Sequence, residues 1–589
     1  MHGTIRGEAT SAPGPLVGDG IRSTRPGFAT LMQGRAAGNP LRPASAITDF
    51  TPRTLIAPEF DAAYYLDANE DVRESGMDPF EHFLLHGADE LRNPNAWFDT
   101  GFYVRNNADV VDAELNPFWH YLAHGKAEGR QPAPRRQAER AVLAQAVPAT
   151  ARWVGTPPDA PPQAPDAIRA AMADRLASTS GLTVSVSHDR YTHSTGGVQI
   201  LVADEQAAFN ARNETYLHIA PAAARLMLAP PGGDPLIHLT MDGAYCGLTT
   251  YADLARALAE LAPVMPAARR FVVHCLLGHQ IDPLIALNAA LGPAVAVFWV
   301  NDYEAVCVGY NLLRNDVTFC GGPPPGSMAC RVCVYGEDRD EHLAQVARLF
   351  AAIPFHVVAP SEAALAVWHA AARLPHASAQ VHEYARVRPG PVRYGLLGAS
   401  PRGTPDNPAR IGFVGYATPN KGWPAFAQVA GALAGHGGYR LFHFTALAAD
   451  PPLPGVETIL TKVSADARGA MTDALAAASI DLVLVLSPWP ETFCLVAYEA
   501  IAAGADVVTL PGSGNVADMV LARGRGLVMP DTAAIVESFT SGAAIAYVRL
   551  CGEQGSEMGR LESRGMTATL SLLGVPSDAL PGVEASPAA

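Results

Sequence analysis

Positive charge is scarce in this 589-residue chain: 42 Lys and Arg face 57 Asp and Glu, a formal net charge of −15. Gripping nucleic acid through its phosphates needs the opposite balance, so that class is set aside, whereas a single nucleotide needs only a local cluster of donors. No apolar run approaches a membrane span, and no compact apolar segment with a cleavage site opens the sequence. The expectation is therefore a cytoplasmic protein, with action at the inner face of the membrane or on a lipid-linked acceptor left open. No D-x-D triad lies near a strand end, no acid pair is spaced like the flanking carboxylates of hydrolases, and no lysine motif marks a pyridoxal site. No catalytic cation or cofactor is expected. Charged residues make up 17% and hydrophobic ones 49%, so most of the chain should fold, and its length calls for two to four domains.

A repeat is present near the N-terminus. FDAAYYLDANEDVRESGMDPFEHFLLHG begins at Phe60 and FDTGFYVRNNADVVDAELNPFWHYLAHG at Phe98. Tyr65 pairs with Tyr103, Asn69 with Asn107, Asp71 with Asp109, His82 with His120, Gly87 with Gly125 and Arg92 with Arg130. Each unit reads as two short helices, the second opened by proline, with aromatic faces packing between neighbours. His82/His86 and His120/His124 each share a helical face, but no acid or Cys completes a metal site, so they read as packing. The organisation expected is a leader over 1–55, repeats over 56–134 and a Pro-rich linker over 135–180, with helical pieces at Ala138–Ala146 and Ala167–Ala177. A first nucleotide-type domain follows over 181–390, a second over 391–550, and a helix and tail over 551–589. Phe28–Pro40 is a weak further match to the repeat.

In the first domain, strand LTVSVSHD leads through RYTHSTGGVQ into a helix reaching Phe209. Gly196 and Gly197 read either as a plain turn or as a place where backbone N–H groups meet an anion. The loop departs from G-x-G-x-x-G, which argues against a redox dinucleotide. Further strands are expected at Leu236–Thr240, Arg270–His274 and Ala294–Val300. His274 and Asp302 then fall at strand ends, where open sheets place ligand-facing side chains. Half of the eight cysteines, Cys307, Cys320, Cys330 and Cys333, lie in one insertion over 307–333. Structural zinc, unliganded thiols and a disulfide all stand open for them.

The Pro-, Gly- and Arg-rich stretch Val387–Pro408 reads as a hinge into the second domain. There, Ile411–Gly415 opens a sheet and YATPNKGW places Lys421 and Gly422 at a helix start, where the lysine reads either as a surface side chain or as an ammonium beside a diphosphate. Strand Leu482–Leu486 is followed by PETFCLVAYEAIAAG, and strand Val507–Leu510 by Gly512–Asn515. Taken as one helix, Glu491 and Glu499 would lie about a quarter turn and about 12 Å apart.

The run P-E-T-F-x-L-x-x-x-E-A-x-A-A-G resembles the E-x7-E element of GT-B glycosyltransferases, in particular the retaining GT4-like families. The resemblance implies an α/β GT-B fold, with two facing Rossmann-like doubly wound domains, here preceded by a small helical repeat region. It implies a hexosyl- or deoxyhexosyltransferase moving sugar from a nucleoside diphosphate sugar to a glycan or lipid-linked acceptor in bacterial cell-surface polysaccharide synthesis. Glu491, with Thr492 and Phe493, would meet the donor sugar, Glu499 the ribose, and Lys421 with Gly422 the diphosphate. Gly196, Gly197, Gly514 and Asn515 would supply further contacts, and His274 with Asp302 would face the reacting centre. An arginine usual after the first strand of the donor domain is Tyr416 here, with Arg410 and Arg523 as substitutes to weigh. That gap supports an alternative: a weak or inactive relative serving in binding or assembly. The repeats resemble those beside bacterial surface-polysaccharide glycosyltransferases and suggest a protein partner.

Overall fold

The computed structural model describes residues 22–23, 50–133 (except 96 and 114), 154–564 (except 157, 195, 395–399 and 465–466), 569 and 572. Phe28–Pro40, Ala138–Ala146 and the tail from Gly574 lie outside them. The chain divides into two compact units, 30–141 on one hand and 1–29 with 142–589 on the other.

In the smaller unit the two related stretches fold alike, each with three short helices rather than two. Helices Ala62–Ala68 and Glu70–Ser75 are separated at Asn69, and Thr100–Asn106 and Ala108–Asp112 at Asn107. The break follows from the asparagine amide, which bonds back to the carbonyl of Tyr65 or Tyr103 at 2.8 Å and is held by Arg92 or Arg130 at 3.0 Å. The same arginines pair with Asp71 and Asp109. Each tyrosine hydroxyl meets a histidine Nδ1, Tyr65 with His82 at 3.0 Å and Tyr103 with His120 at 2.9 Å. The histidines are thus part of the packing, and burial holds His82 and His120 below the ordinary imidazole pKa.

In the larger unit, β1 (Gly181–Val186), β2 (Thr215–Pro221), β3 (Leu236–Met241), β4 (Ala244–Thr250), β5 (Ala268–Val273), β6 (Val295–Trp299), β7 (His356–Ala359) and β8 (Ser378–Val381) form one sheet. Its order is β8-β7-β6-β5-β1-β2-β3-β4, parallel except for the β2–β3–β4 meander at one edge. After β9 (Ala385–Arg393), a second sheet is built from β10 (Ala409–Val414), β11 (Tyr439–Thr445), β12 (Val456–Leu460), β13 (Leu482–Val485), β14 (Asp506–Thr509) and β15 (Gly526–Val528). Its order β12-β11-β10-β13-β14-β15 is parallel, and Arg22–Ser23 pairs antiparallel on the β15 edge. Three of the strands expected from the sequence are buried throughout: every residue of β1, β13 and β14 is buried. This is the expected α/β architecture of two Rossmann-like domains. No single helix among the described residues is long and apolar enough to cross a membrane.

The first part of the expected hinge, Val387–Arg393, is strand, and residues 395–399 of it lie outside the described residues. β9 pairs antiparallel with β16 (Ser556–Ser563), with a register shift between Pro389 and Val392. Arg386 and Arg388 both reach Glu562. The two sheets also share apolar packing. Leu201, Val272, Val297 and Trp299 of the first domain belong to one core with Phe493, Ala497 and Tyr498 of the second. At roughly 1.5–3 kcal/mol per large buried side chain, this layer is a substantial clamp.

Gly87 and Gly125 lie against the repeat tyrosines, and a Cβ there would fall 2.0 and 2.1 Å from the hydroxyls. Gly87→Ala or Gly125→Ala should therefore destabilise the repeats by about 1–3 kcal/mol. Amide hydrogen exchange should quicken across the repeats and stay unchanged in the sheets.

Candidate functional site

Each sheet reverses its strand order once, and the ligand crevice of such a sheet lies beyond the carboxyl ends of the strands flanking the reversal. In the second sheet those strands are β10 and β13, so the loops after Val414 and Val485 define the crevice. Lys421 sits on the first loop and Glu491 on the second. Their side chains meet: Lys421 Nζ donates to Glu491 Oε1 at 2.9 Å, and Ser487 Oγ donates to the same oxygen at 2.6 Å. Gly422, at φ 83°, has the conformation that favours glycine, and a Cβ there would lie 2.2 Å from the Leu486 carbonyl. That close approach of the two loops sets Lys421 beside Glu491. Burial lowers the ammonium pKa of Lys421, but the Glu491 carboxylate and the nearby Cys494 outweigh it, so the pKa is raised overall.

Glu491 is not on the helix that carries Glu499. That helix, α3 (Leu495–Ala502), begins after the extended Cys494, and the preceding chain is held as a loop. Pro490 removes a helical donor, while the Glu491 carbonyl accepts from Asn515 N at 3.1 Å and residue 491 bridges Gly514. The quarter-turn, 12 Å relation between the two acids therefore does not hold. Gly514 (φ 60°, ψ −127°) precedes α4 (Asn515–Arg523), and Asn515 is buried, with its amide on Tyr498 and its Oδ1 without a partner.

The first domain holds this loop from the other side. Tyr303 Oη donates to the Pro490 carbonyl at 3.0 Å, Thr492 Oγ1 to the Asn301 carbonyl at 2.7 Å, and Ser361 Oγ to the Thr492 carbonyl at 2.7 Å. Thr492 is thus a bridge between domains, and Phe493 is core, stacked on Tyr498 at 4.5 Å. Asp302 lies beside these contacts, and burial pushes its carboxyl up to about 7. His274 follows β5 as expected but is sealed: Nε2 donates to Glu205 Oε2 at 3.0 Å with both side chains fully inaccessible. Its ring stacks on Trp299, which packs on Tyr384. Among the described residues, His274 Nδ1, Trp299 Nε1 and Tyr384 Oη have no hydrogen-bond partner. His279 is also structural, bonded to Tyr251 and Ser187.

Glu499 faces a cavity of about 240 Å³ between the domains, with Gly197, Leu201, Tyr384, Arg468 and Leu495 among its walls. Gly197 opens helix α1 (Gly197–Ala211), and a Cβ there would meet nothing nearer than Leu495 at 3.9 Å. Gly196, at φ 175°, is ordinary extended backbone. The Glu499 carboxyl has no hydrogen-bond or ion-pair partner among the described residues, and burial raises it to about 7. Arg468, which precedes α2 (Ala470–Ala477), enters the same cavity and pairs with Asp204 at 2.5 Å. It was missed in the sequence, where a cation just before a helix start was the available signal. Of the substitutes weighed for the missing arginine, Arg410 lies at the start of β10, the opposite end from the crevice, and holds the Ala478 carbonyl. Arg523 lies over the Tyr498 ring.

The four clustered cysteines are free thiols, which removes the disulfide reading. They gather in one lobe, yet more loosely than an occupied tetrahedral site. Among the described residues, the group of potential ligand atoms lying within 4.8 Å of one another is Cys275, Asp302 and Glu304.

No protein-family model and no curated protein matches the chain. Solved structures do. A sucrose-phosphate synthase from Thermosynechococcus elongatus is 14% identical, over 67% of this chain and 94% of that one, with a TM-score of 0.39. An α,α-trehalose 6-phosphate synthase from Burkholderia multivorans is 13% identical over 68% and 96%, with a TM-score of 0.34. Anabaena Alr3699/HepE, in complex with UDP-glucose, is 13% identical over 63% and 93%, with a TM-score of 0.34. Likenesses this distant leave function to the residues themselves.

Removing the cation at the crevice leaves a buried carboxylate with only Ser487 for company. Lys421→Met should cost about 1–3 kcal/mol in urea unfolding, less than a fully buried pair because the lysine is partly exposed. Adding Glu491→Gln should recover most of the loss.

Proposed function

We propose that this protein is a glycosyltransferase that takes a sugar from a nucleoside diphosphate sugar. The observation that carries the proposal is Glu499: a buried carboxyl without a protein partner, facing a cavity walled by both domains. A vicinal diol such as ribose supplies the two hydroxyl donors that such a group lacks. Lys421 stabilises charge on the departing diphosphate, Arg468 is the second cation that Tyr416 does not provide, and Glu491 orients the sugar. Attack on the face from which the phosphate leaves, with the phosphate taking the acceptor proton, gives retention of configuration. No residue here requires a catalytic metal for that scheme. A glycan or lipid-linked acceptor at the cytoplasmic face of the membrane, in surface-polysaccharide assembly, is the setting we favour.

At about 240 Å³ the cavity is below the range of roughly 300–1,000 Å³ typical of small-molecule sites, so the donor enters a more open arrangement than this one. Closure then excludes water from the activated sugar. A second reading, binding or assembly without turnover, is favoured by Tyr416 at the position of the usual arginine.

Calorimetry with UDP, dTDP, GDP and ADP tests the site, and transfer or slow hydrolysis of the matching sugar donors separates the two readings. Binding without turnover of any donor would select the second. At least one nucleotide should bind, and Glu499→Ala should weaken it about 10-fold or more. Unchanged affinity in that variant sinks the ribose assignment.

The pH dependence follows from the raised pKa. Glu499 holds its proton up to about 7 in the folded chain against an ordinary 4.5, so the native state binds the extra proton between those values. Its contribution to stability therefore falls as pH rises through that window and levels off above it. Glu499→Gln should remove this slope and stabilise the ligand-free protein at pH 8. Nucleotide binding near pH 7 should release a fraction of a proton, read from titrations in buffers of different ionisation enthalpy, and the variant should abolish the release.

A further inference from the structure

The lobe that follows β6 takes no part in the proposed transfer. Val308, Leu312, Leu313 and Tyr335 tie its two ends to the first-domain core, but among the described residues no apolar side chain is buried between Cys320 and Cys330. Between Cys307 and Tyr335 its regular structure is a hairpin of Leu313–Arg314 with Thr318–Phe319 and the single helical turn Met328–Arg331. Met328 and Val332 point outward, 70% and 59% exposed. A stretch without a buried apolar side chain needs another constraint.

The four cysteines mark where that constraint lies. Cys320 follows the hairpin, with its N–H on the Leu312 carbonyl at 2.9 Å. Cys330 and Cys333 stand on a tight turn: Cys333 N donates to the Cys330 carbonyl at 3.0 Å and Gly336 N to the Cys333 carbonyl at 2.9 Å. A Cβ on Gly336 would fall 2.0 Å from that Cys330 carbonyl, so the turn closes only over glycine. Cys307 lies within electrostatic reach of Cys320 and Cys333, and Cys320 within reach of Cys333 and Cys330.

Arg339 supplies the independent observation. Its residue is 3% exposed, and its guanidinium donates to the carbonyls of Val306 (3.3 Å) and Pro323 (2.6 Å) and to Cys330 Sγ (2.9 Å). Among the described residues it has no carboxylate partner. A buried cation without an anion is costly. The side chains beside it that can become anions are thiols, and a metal is what turns several neighbouring buried thiols into thiolates together. A tetrathiolate zinc centre carries a net charge of opposite sign to Arg339.

We propose that Cys307, Cys320, Cys330 and Cys333 bind one structural zinc ion, with Arg339 as the compensating cation on the Cys330 sulfur. Four Zn–S bonds of about 2.3 Å would draw the thiols together around one ion, and each thiol gives up its proton on binding. Zinc undergoes no redox change, so the centre fastens the lobe and performs no chemistry.

The test uses the full chain, expressed without a histidine tag and purified without chelator. Mass spectrometry should find about one equivalent of zinc, falling below about a quarter in Cys330→Ser and Cys333→Ser, while Cys246→Ser, outside the set, keeps it. A serine variant that misfolds also loses metal, so the wild-type protein carries a second measurement. After removal of zinc, Co²⁺ should restore the strong visible absorption of a tetrahedral thiolate site, saturating at one equivalent and displaced by Zn²⁺. The stripped protein should be cut by trypsin within the lobe, and the reloaded protein should not. Arg339→Gln should surrender zinc to chelator faster than wild type. The proposal is overturned if wild-type protein carries less than about a quarter equivalent of any transition metal and takes up no cobalt, or if Cys330→Ser and Cys333→Ser retain full zinc.

Discussion

The peptide between Ser487 and Cys494 is gripped from both sides, and the rest of the larger unit depends on that grip. Its own domain holds it through Lys421, Ser513 and Asn515, and the first domain holds it through Tyr303, Asn301 and Ser361. These bonds join the carboxyl-end loops of two separate sheets, the places where each topology leaves room for a ligand. An open sheet offers such room wherever its strand order reverses. Here β10 and β13 supply the reversal in one sheet, β1 and β5 in the other, and the clamped loop lies between the domains.

Two acids on this segment are treated in opposite ways. Glu491 has a cation and a hydroxyl within hydrogen-bond distance and is satisfied by the protein. Glu499, four residues beyond the start of α3, is buried with none. A charge that the fold answers internally holds the fold together, whereas one it leaves unanswered awaits a partner from outside. Position separates two arginines: Arg410 holds the Ala478 carbonyl at the far end of its strand, whereas Arg468, paired with Asp204, lines the cavity.

Much of this was legible, for identifiable reasons. Leu482–Leu486 is an uninterrupted apolar run, and such runs are parallel strands covered on both faces, while Leu182–Val186 is rich in β-branched residues although Thr183 and Ser185 interrupt it. The paired tyrosines, histidines, asparagines and arginines of the repeats kept their spacing because each pair makes the same hydrogen bond in both copies. What escaped was non-local. Ser556–Ser563 is half polar and becomes a strand only because β9 is there to pair with it. Glu491 left the helix because Gly514 and Asn515, more than twenty residues on, take its backbone. His274 occupies the strand end that suggested a ligand contact, but Glu205, on a helix the strand pattern says nothing about, closes over it. Arg468 was invisible because its value lies in which cavity it enters.

The stability cost of Glu499 bears on how the crevice works. Holding its proton to about 7 rather than 4.5 corresponds to about 3 kcal/mol of strain once the group is charged, a large part of the 5–15 kcal/mol that keeps a typical domain folded. A purely structural site would be relieved of that cost by glutamine, which fills the same volume and does not ionise. The carboxylate gains an advantage over glutamine when two hydroxyls arrive together, because a charged acceptor makes hydrogen bonds about twice as strong as a neutral one. A donor of the proposed kind is larger than the present cavity, and the shared packing of Trp299, Tyr384 and Phe493 resists any parting of the domains that would admit it. Both costs are met by the same event. On the function we propose, a nucleotide that hydrogen-bonds Glu499 would relieve the buried charge as the domains close around it, coupling binding and closure through one carboxyl group.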